Sequence, residues 1–318
     1  MSSLIRKILE SRKVFIFGVA GDSGSGKTTI SSGIKRILSD DIVAVLSMDD
    51  YHTIDRRQRK ELNITPLNPK ASNLNLLATQ LETLKAGKQI DKPVYDHCHG
   101  QIMGTEPFGP APIIIVEGLH PFYTKRLRNL IDFKIFVDPS RQVKRLWKVR
   151  RDVETRGYNQ EEVMNEILQR EPDYKLYVDI QKIYAEMVIK IHNTRFSQSL
   201  ISPKRELYSV RLIQEIMEQP VSRVDLTIDL SKILQTSEHE FLIEFQRDDY
   251  YGKKVGIMTI DGEIHQTMII DLESRLGIIL DTQAAIADRC QDCVNSIGLT
   301  QLILTWRCVE KLANMMGS

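Results

Sequence analysis

"VFIFGVAGDSGSGKTT", Val14 to Thr29, decides how the rest of the chain is read. Val14–Ala20 is a continuous apolar run, as expected of a strand covered on both faces. Gly21-x4-Gly26-Lys27-Thr28 then fits G-x-x-x-x-G-K-[ST], the phosphate-binding loop. Glycines let the backbone turn so that successive N–H groups point at phosphate oxygens. In this pattern Lys27 reaches the β- and γ-phosphates of ATP, and the Thr28 hydroxyl holds Mg²⁺. Gly21, Asp22, Ser23, Gly24, Ser25, Gly26, Lys27, Thr28 and Thr29 are therefore the expected nucleotide-binding loop. Beyond it Ile30, Ile34, Ile37 and Leu38 fall at i, i+4, i+7 and i+8, one face of a helix. Strand, glycine loop and helix N-terminus are the context the motif requires, and the helix end favours anions.

Composition narrows the class. A chain of 318 residues can bury a full core and a second, smaller domain. Lys+Arg is 43 against Asp+Glu 42, which argues against bulk binding of nucleic acid. No run of eighteen apolar residues occurs, so no membrane partner is expected. "MSSLIRKILESRK" carries no apolar leader segment and reads as a short amphipathic helix, so a cytoplasmic location is expected. Four cysteines, Cys98, Cys290, Cys293 and Cys308, suit a reducing compartment. Cys290 and Cys293 lie in "AAIADRCQDCVNSIG", which reads as helical, and are expected to be helix residues, not a metal or redox pair.

The apolar runs Ile42–Met48, Pro112–Gly118, Phe133–Pro139 and Glu186–Ile191 alternate with helix-like segments. This predicts an α/β fold with a doubly wound, mainly parallel sheet over residues 1–192. Ligands then sit at the carboxyl ends of the strands, where Asp49, Asp50 and Glu117 fall. The polar stretch Asn193–Glu206 marks a boundary, and residues 193–318 are expected to form a smaller C-terminal α+β segment. In it Val224–Leu230 alternates like a half-exposed strand, Asp261-Gly262 reads as a hairpin turn, and the last thirty or so residues read as helices.

Four further stretches carry a resemblance: "MDDYHTIDRRQRK" (Met48–Lys60), "KPVYDHCHG" (Lys92–Gly100), "IIIVEGLHPFY" (Ile113–Tyr123) and "KVRRDVETRGYNQEE" (Lys148–Glu162). In order and spacing they resemble phosphoribulokinase, within the phosphoribulokinase/uridine kinase family of P-loop kinases. The likeness runs from about residue 14 to 192. The last stretch resembles the signature K-[LIVM]-x-R-D-x3-R-G-x-[ST]-x-E, matched by Lys148, Val149, Arg151, Asp152, Arg156, Gly157 and Glu161; Asn159 departs from it. Asp96 stands where phosphoribulokinases often have Asn and uridine kinases Asp, and His97 stands where uridine kinases have an aromatic residue.

The resemblance implies a kinase that phosphorylates the C1 hydroxyl of ribulose 5-phosphate to ribulose 1,5-bisphosphate, a product that points to carbon fixation. The alternatives are a uridine or other nucleoside kinase, or a nucleotide-binding regulatory protein without turnover. It implies Asp49 as catalytic base, with Asp50 the other candidate, and Glu117 with Thr28 as Mg²⁺ ligands. His52, Arg56, Arg59, Tyr95, His97 and His120 would bind the sugar phosphate through charge-assisted hydrogen bonds. Lys148, Arg151 and Arg156 would be lid groups over the transferring phosphate, with Asp152 orienting the lid or metal. Ser25 stands where plant relatives carry a regulatory P-loop cysteine, so no thiol switch is expected there. A homodimer is expected on family grounds.

Overall fold

The computed structural model of the protein describes residues 4–97, 99–155, 157–196, 206–215, 241–266, 269, 273–274, 276–277, 289–290 and 293–317. Cys98, Arg156 and the strand predicted at Val224–Leu230 lie outside the described residues. The chain divides into two compact units. One is Arg12–Ser31 with Ile42–Glu186; the other is Met1–Ser11, Ser32–Asp41 and Met187–Ser318.

The amphipathic segment at the N-terminus is helix α1 (Leu4–Ser11), with Ile8 buried. The opening apolar run is strand β1 (Phe15–Gly21), buried at every position. Helix α2 (Lys27–Leu38) follows the loop, and Ile30, Ile34, Ile37 and Leu38 are all at most 1% exposed, as their spacing predicts. Then come β2 (Val43–Ser47), α3 (Arg56–Glu61), α4 (Leu74–Lys85), β3 (Ile90–Asp96), β4 (Gln101–Phe108), β5 (Ile113–Gly118), α5 (Lys125–Leu130), β6 (Phe133–Pro139), α6 (Arg141–Arg150) and α7 (Gln160–Asp173).

β1 pairs in parallel with β5 on one side and β6 on the other, and β2 pairs in parallel with β5. Parallel neighbours need crossovers, and α2 and α5 lie in two of them. The chain leaving β1 turns toward β2, while the chain leaving β5 returns past β1 to β6. That reversal opens a crevice at the carboxyl end of β1, where the glycine loop begins. Ile113 to Val116 of β5 are 0% exposed; each such side chain contributes about 1.5–3 kcal/mol before entropy is subtracted.

The other unit is antiparallel. β7 (Met187–Asn193) pairs with β8 (Tyr208–Glu215), β8 with β10 (Lys253–His265), and β10 also with β9 (Phe241–Tyr250). β12 (Cys293–Asn295) pairs with β10 and with β11 (Arg289–Cys290), and α8 (Ser296–Gly317) closes the chain.

Two expectations are corrected here. Asp261-Gly262 is no hairpin turn, because β10 runs through it from Lys253 to His265. The Asp261 carboxylate is turned inward, accepting from Thr194 Oγ1 at 2.7 Å and Arg195 N at 3.0 Å, so it does not cap a turn of its own. The turn instead lies at Tyr251-Gly252 between β9 and β10, where both residues have positive φ. Cys290 and Cys293 are not helical either. They stand opposite one another in the β11–β12 pair, and the helix starts only at Ser296. Among the described residues no helix is long and apolar enough to cross a membrane.

Candidate active site

The phosphate loop is built against α6. Gly24 and Gly26 have φ of +75° and +87°, a region that strains any side chain. A Cβ on Gly24 would lie 3.1 Å from Lys148 Cβ, and one on Gly26 would lie 3.0 Å from the Trp147 ring. Glycine is thus needed for the turn and for the close approach of the helix. Lys27 Nζ donates to Asp22 O at 2.6 Å. Burial pushes the Lys27 ammonium below its usual pKa, opposed by Asp49, Glu117 and Asp22. The Asp22 carboxylate is committed to Lys144 at 2.9 Å and Arg170 at 3.6 Å. Burial would raise its pKa, but Arg170 and Lys144 hold it below the carboxylate range. Ser23 Oγ accepts from Arg151 at 3.1 Å, Ser25 is buried, and Thr29 is exposed.

The strand register brings Glu117 to this loop, opposite Val19 on one side and Ser47 on the other. Thr28 Oγ1 donates to Glu117 Oε1 at 3.1 Å. Glu117 Oε2 is buried and has no hydrogen-bond partner among the described residues. A hydroxyl beside a carboxylate with one oxygen unsatisfied fits Mg²⁺, which takes one or two carboxylates and completes its shell with phosphate oxygens and water.

The acceptor side begins where β2 stops. Ser47 Oγ accepts from Asp49 N at 3.2 Å, and Met48–Tyr51 coil into one 3₁₀ turn. The turn separates two adjacent carboxylates. Asp50 accepts from Lys92 Nζ at 2.8 Å and from Tyr95 N at 3.1 Å. Asp49 instead lies 3.7 Å from His97 Nε2. Burial would raise the Asp49 pKa, but His52, Lys27, His97 and Arg151 hold it below the carboxylate range, so it is ionised at neutral pH.

Around Asp49 stands a wall of aromatic and basic residues. The Tyr95 ring meets His52 and His97 edge-on, with centroids 4.8 and 5.2 Å away. Buried Arg59 donates to Tyr95 Oη and to Ile54 O, both at 2.9 Å. Arg56 donates to His97 O at 2.6 Å. His52 and His120 differ from the cations expected of a phosphate site. Burial lowers the His52 pKa, against the pull of Asp49. His120 is 1% exposed, burial lowers its pKa to about 4, and its Nε2 donates to Leu67 O at 2.8 Å. At neutral pH His120 is uncharged.

The basic stretch after β6 is equally ordered. α6, capped by Ser140, widens into a π turn at Arg151–Thr155, a distortion frequent at functional sites. Lys148 Nζ lies 2.6 Å from Asp152 Oδ2 and 3.6 Å from Glu166 Oε1. Arg151 pairs with Asp152 at 2.9 Å as well as reaching Ser23. Glu166 pairs with Arg170 at 2.8 Å, and Arg170 leads back to Asp22. The chain of charges is closed: Asp22, Arg170, Glu166, Lys148, Asp152, Arg151, and the neighbouring Ser23. Burial would raise the pKa values of Asp152 and Glu166, but these cations hold both low.

Asp49, Lys27, Thr28 and Glu117 therefore meet at one end of the sheet; His52 and His97 act on Asp49, Tyr95 touches both rings, and Arg56 is bonded to the His97 carbonyl. Arg59 and His120 stand behind that wall, buried and bonded. Lys92, Lys144, Glu166 and Arg170 have no site role in the sequence reading, and Asp50, the other candidate for the base, is taken up by Lys92 and Tyr95 N–H. The i, i+4 spacings of Lys144 with Lys148 and of Glu166 with Arg170 were a legible signal; for Lys92 there was none.

The profile of the "Phosphoribulokinase / Uridine kinase family" matches residues 16–197. The phosphoribulokinase of Synechocystis sp. is 35% identical over 258 residues, spanning 79% of this chain and 77% of that protein. The chloroplastic phosphoribulokinase of Chlamydomonas reinhardtii is 36% identical over 83% of this chain and 77% of its own length. A uridine kinase of Lactococcus lactis is 33% identical over 56% of this chain. The solved phosphoribulokinase from Rhodobacter spheroides shares the fold, with TM-score 0.56 and 18% identity over 95% of this chain and 99% of that one. The kinase loop, the carboxylates at the strand ends and these matches lead to one conclusion: the chain belongs to the phosphoribulokinase / uridine kinase family.

Proposed function

We propose that this chain transfers the γ-phosphoryl group of ATP to the C1 hydroxyl of ribulose 5-phosphate, giving ribulose 1,5-bisphosphate and ADP. The observation that carries the reading is the setting of Asp49, an ionised carboxylate acted on by Lys27 of the phosphate loop and by His52 and His97 of the acceptor wall. Relatives named phosphoribulokinase, at 32–36% identity over most of the chain, support the same acceptor.

In this reading Asp49 takes the proton of the C1 hydroxyl as its oxygen attacks the γ-phosphorus, and the bond to the ADP oxygen breaks. Lys27 and the loop amides hold the phosphates. Thr28 and Glu117 would hold Mg²⁺, which supplies charge neutralisation on the phosphate oxygens when bound. Arg56 and His97 bind the sugar phosphate, while Arg59, Tyr95, His52 and His120 shape the wall behind them. Lys148 and Arg151 turn from the charge ring to the transferring phosphate as Asp152 releases them, and the family signature adds Arg156 as a further cation for that phosphate. The reading includes a homodimer: among the described residues β9 pairs only with β10, which leaves an edge for a second copy.

The test is direct. Purified protein is incubated with Mg·ATP and ribulose 5-phosphate, uridine or buffer, and ADP and bisphosphate are measured. ADP release should require ribulose 5-phosphate and match bisphosphate formed. Release driven by uridine would reassign the acceptor, and equal release in all three would make the protein a hydrolase.

A further inference from the structure

Lys92 is a buried ammonium with no part in the phosphoryl transfer. It is 8% exposed, and its Nζ lies 2.8 Å from Asp50 and 2.6 Å from Glu106. Burial alone would lower its pKa, but the bonds to Asp50 and Glu106 raise it, so the group is charged. Asp50 accepts from Tyr95 N–H with its other oxygen, at 3.1 Å. One carboxylate on the Met48–Tyr51 turn therefore holds two points of β3.

The same strand carries the acceptor wall. Along β3, Ile90 and Lys92 are buried, and the alternation then breaks so that Tyr95 is buried too. The break coincides with a bulge. Val94 stands opposite Gly104 and Tyr95 opposite Ile102, which makes Met103 an extra residue in β4, and Gly104 has φ +111°. Bulges bend a strand and re-aim side chains, and they recur beside active sites. Past this one, Tyr95 contacts His52, and His97 faces Asp49 at 3.7 Å. Lys92 and Tyr95 thus grip Asp50 while His97 faces the next carboxylate in the chain.

We propose that Asp50 and Lys92 are positioning residues: their ion pair seats the β3–β4 hairpin on the turn that carries Asp49, and so sets where His97 stands beside Asp49 in the wall that binds the sugar phosphate. An apolar contact would also hold the hairpin, but it would tolerate sliding. A buried, directional ion pair admits one seating, because any other leaves a charge unpaired. The Lys92 ion pairs reach Asp50 and Glu106 and, among the described residues, no residue of the phosphate loop, so loosening the hairpin acts on the acceptor and not on ATP. The inference rests on the proposed reaction.

The test compares wild type with Lys92→Met, Lys92→Arg and Glu106→Gln in full-length protein, using steady-state kinetics, thermal midpoints and amide hydrogen exchange without substrate. Lys92→Met should raise KM for ribulose 5-phosphate by about tenfold or more, leave KM for ATP within about twofold, and speed exchange in residues 90–108 but not in 133–150. Lys92→Arg should restore most of the KM, and Glu106→Gln, at the exposed end of the cluster, should raise it a few-fold. An unchanged KM for the sugar phosphate, or equal rises for both substrates, overturns the proposal. If Lys92→Met does not fold, Glu106→Gln decides alone, and an unchanged KM there overturns it. Should the wild type not turn over ribulose 5-phosphate, the reaction is what fails; unchanged exchange in 90–108 would still refute the seating by itself.

Discussion

Asp49 and Asp50 are adjacent, chemically identical, and divided in role by their partners. Asp50 is bonded to Lys92 and Tyr95, whereas Asp49 faces His97 and is held ionised by surrounding cations. In the proposed reaction the general base must be deprotonated and must face the acceptor wall, and Asp49 is ionised and stands 3.7 Å from His97 Nε2. Asp49→Asn keeps the shape and removes the base. It should lower kcat by about 10²–10⁴-fold with little change in KM for ATP. Near-normal turnover, measured as ADP release, would take Asp49 out of the role. Because its pKa is held below the ordinary carboxylate value, Asp49 stays deprotonated from pH 8 to pH 5. An acid-side fall of kcat in that window must come from another group.

At the scale of elements, the phosphate loop and α6 form one packed object. Gly26 is the joint, with φ +87° and the Trp147 ring where a side chain would go. Gly26→Ala must adopt a left-handed backbone, costing about 1–2 kcal/mol, and must also push on Trp147. It should raise KM for ATP by about tenfold to a hundredfold, since a displacement near 1 Å in a positioned site has effects of that size. Equilibrium binding of ATP at wild-type strength would refute this. Element identity was legible wherever a segment was covered on both faces: β1, β2, β5 and β6 are continuous apolar runs in the sequence and strands in the structure. It failed where a local signal met a tertiary partner. Asp261-Gly262 is a good turn dipeptide, but Thr194 and Arg195 take up its carboxylate inside β10. The helical reading of the stretch around Cys290 and Cys293 fails because the two pair across a two-stranded ladder.

For the whole molecule, charge is balanced at 43 basic and 42 acidic residues, so its pH response is set by individual buried groups and not by net repulsion. His120 is the clearest. Its folded pKa is about 4 against the ordinary 6.5, because burial penalises the imidazolium. Between those values the unfolded chain binds more protons than the folded one. Stability is therefore lost as pH falls from 6.5 to 4, by an amount on the order of 3 kcal/mol. His52, also lowered by burial, adds to the loss with the same sign. Asp22, Asp152 and Glu166 have depressed pKa values, and their contribution is lost only at lower pH. His120→Gln should flatten part of the decline when urea midpoints are compared at pH 7, 5.5 and 4.5; an unaltered slope would show that His120 does not cause it. The parallel kinase core, the phosphate loop, the carboxylates at the strand ends and the family are legible along the chain, because each is encoded in contiguous residues or in a short periodicity. Folding settles the rest: Asp50 is taken up by Lys92 while Asp49 is not, His120 stays neutral, and Lys148 sits in a ring of ion pairs. Those outcomes depend on burial and on partners far along the chain, 42 residues for Lys92 with Asp50, 89 for Thr28 with Glu117 and 128 for Arg151 with Ser23. No local pattern reports a field that exists only once such segments have met.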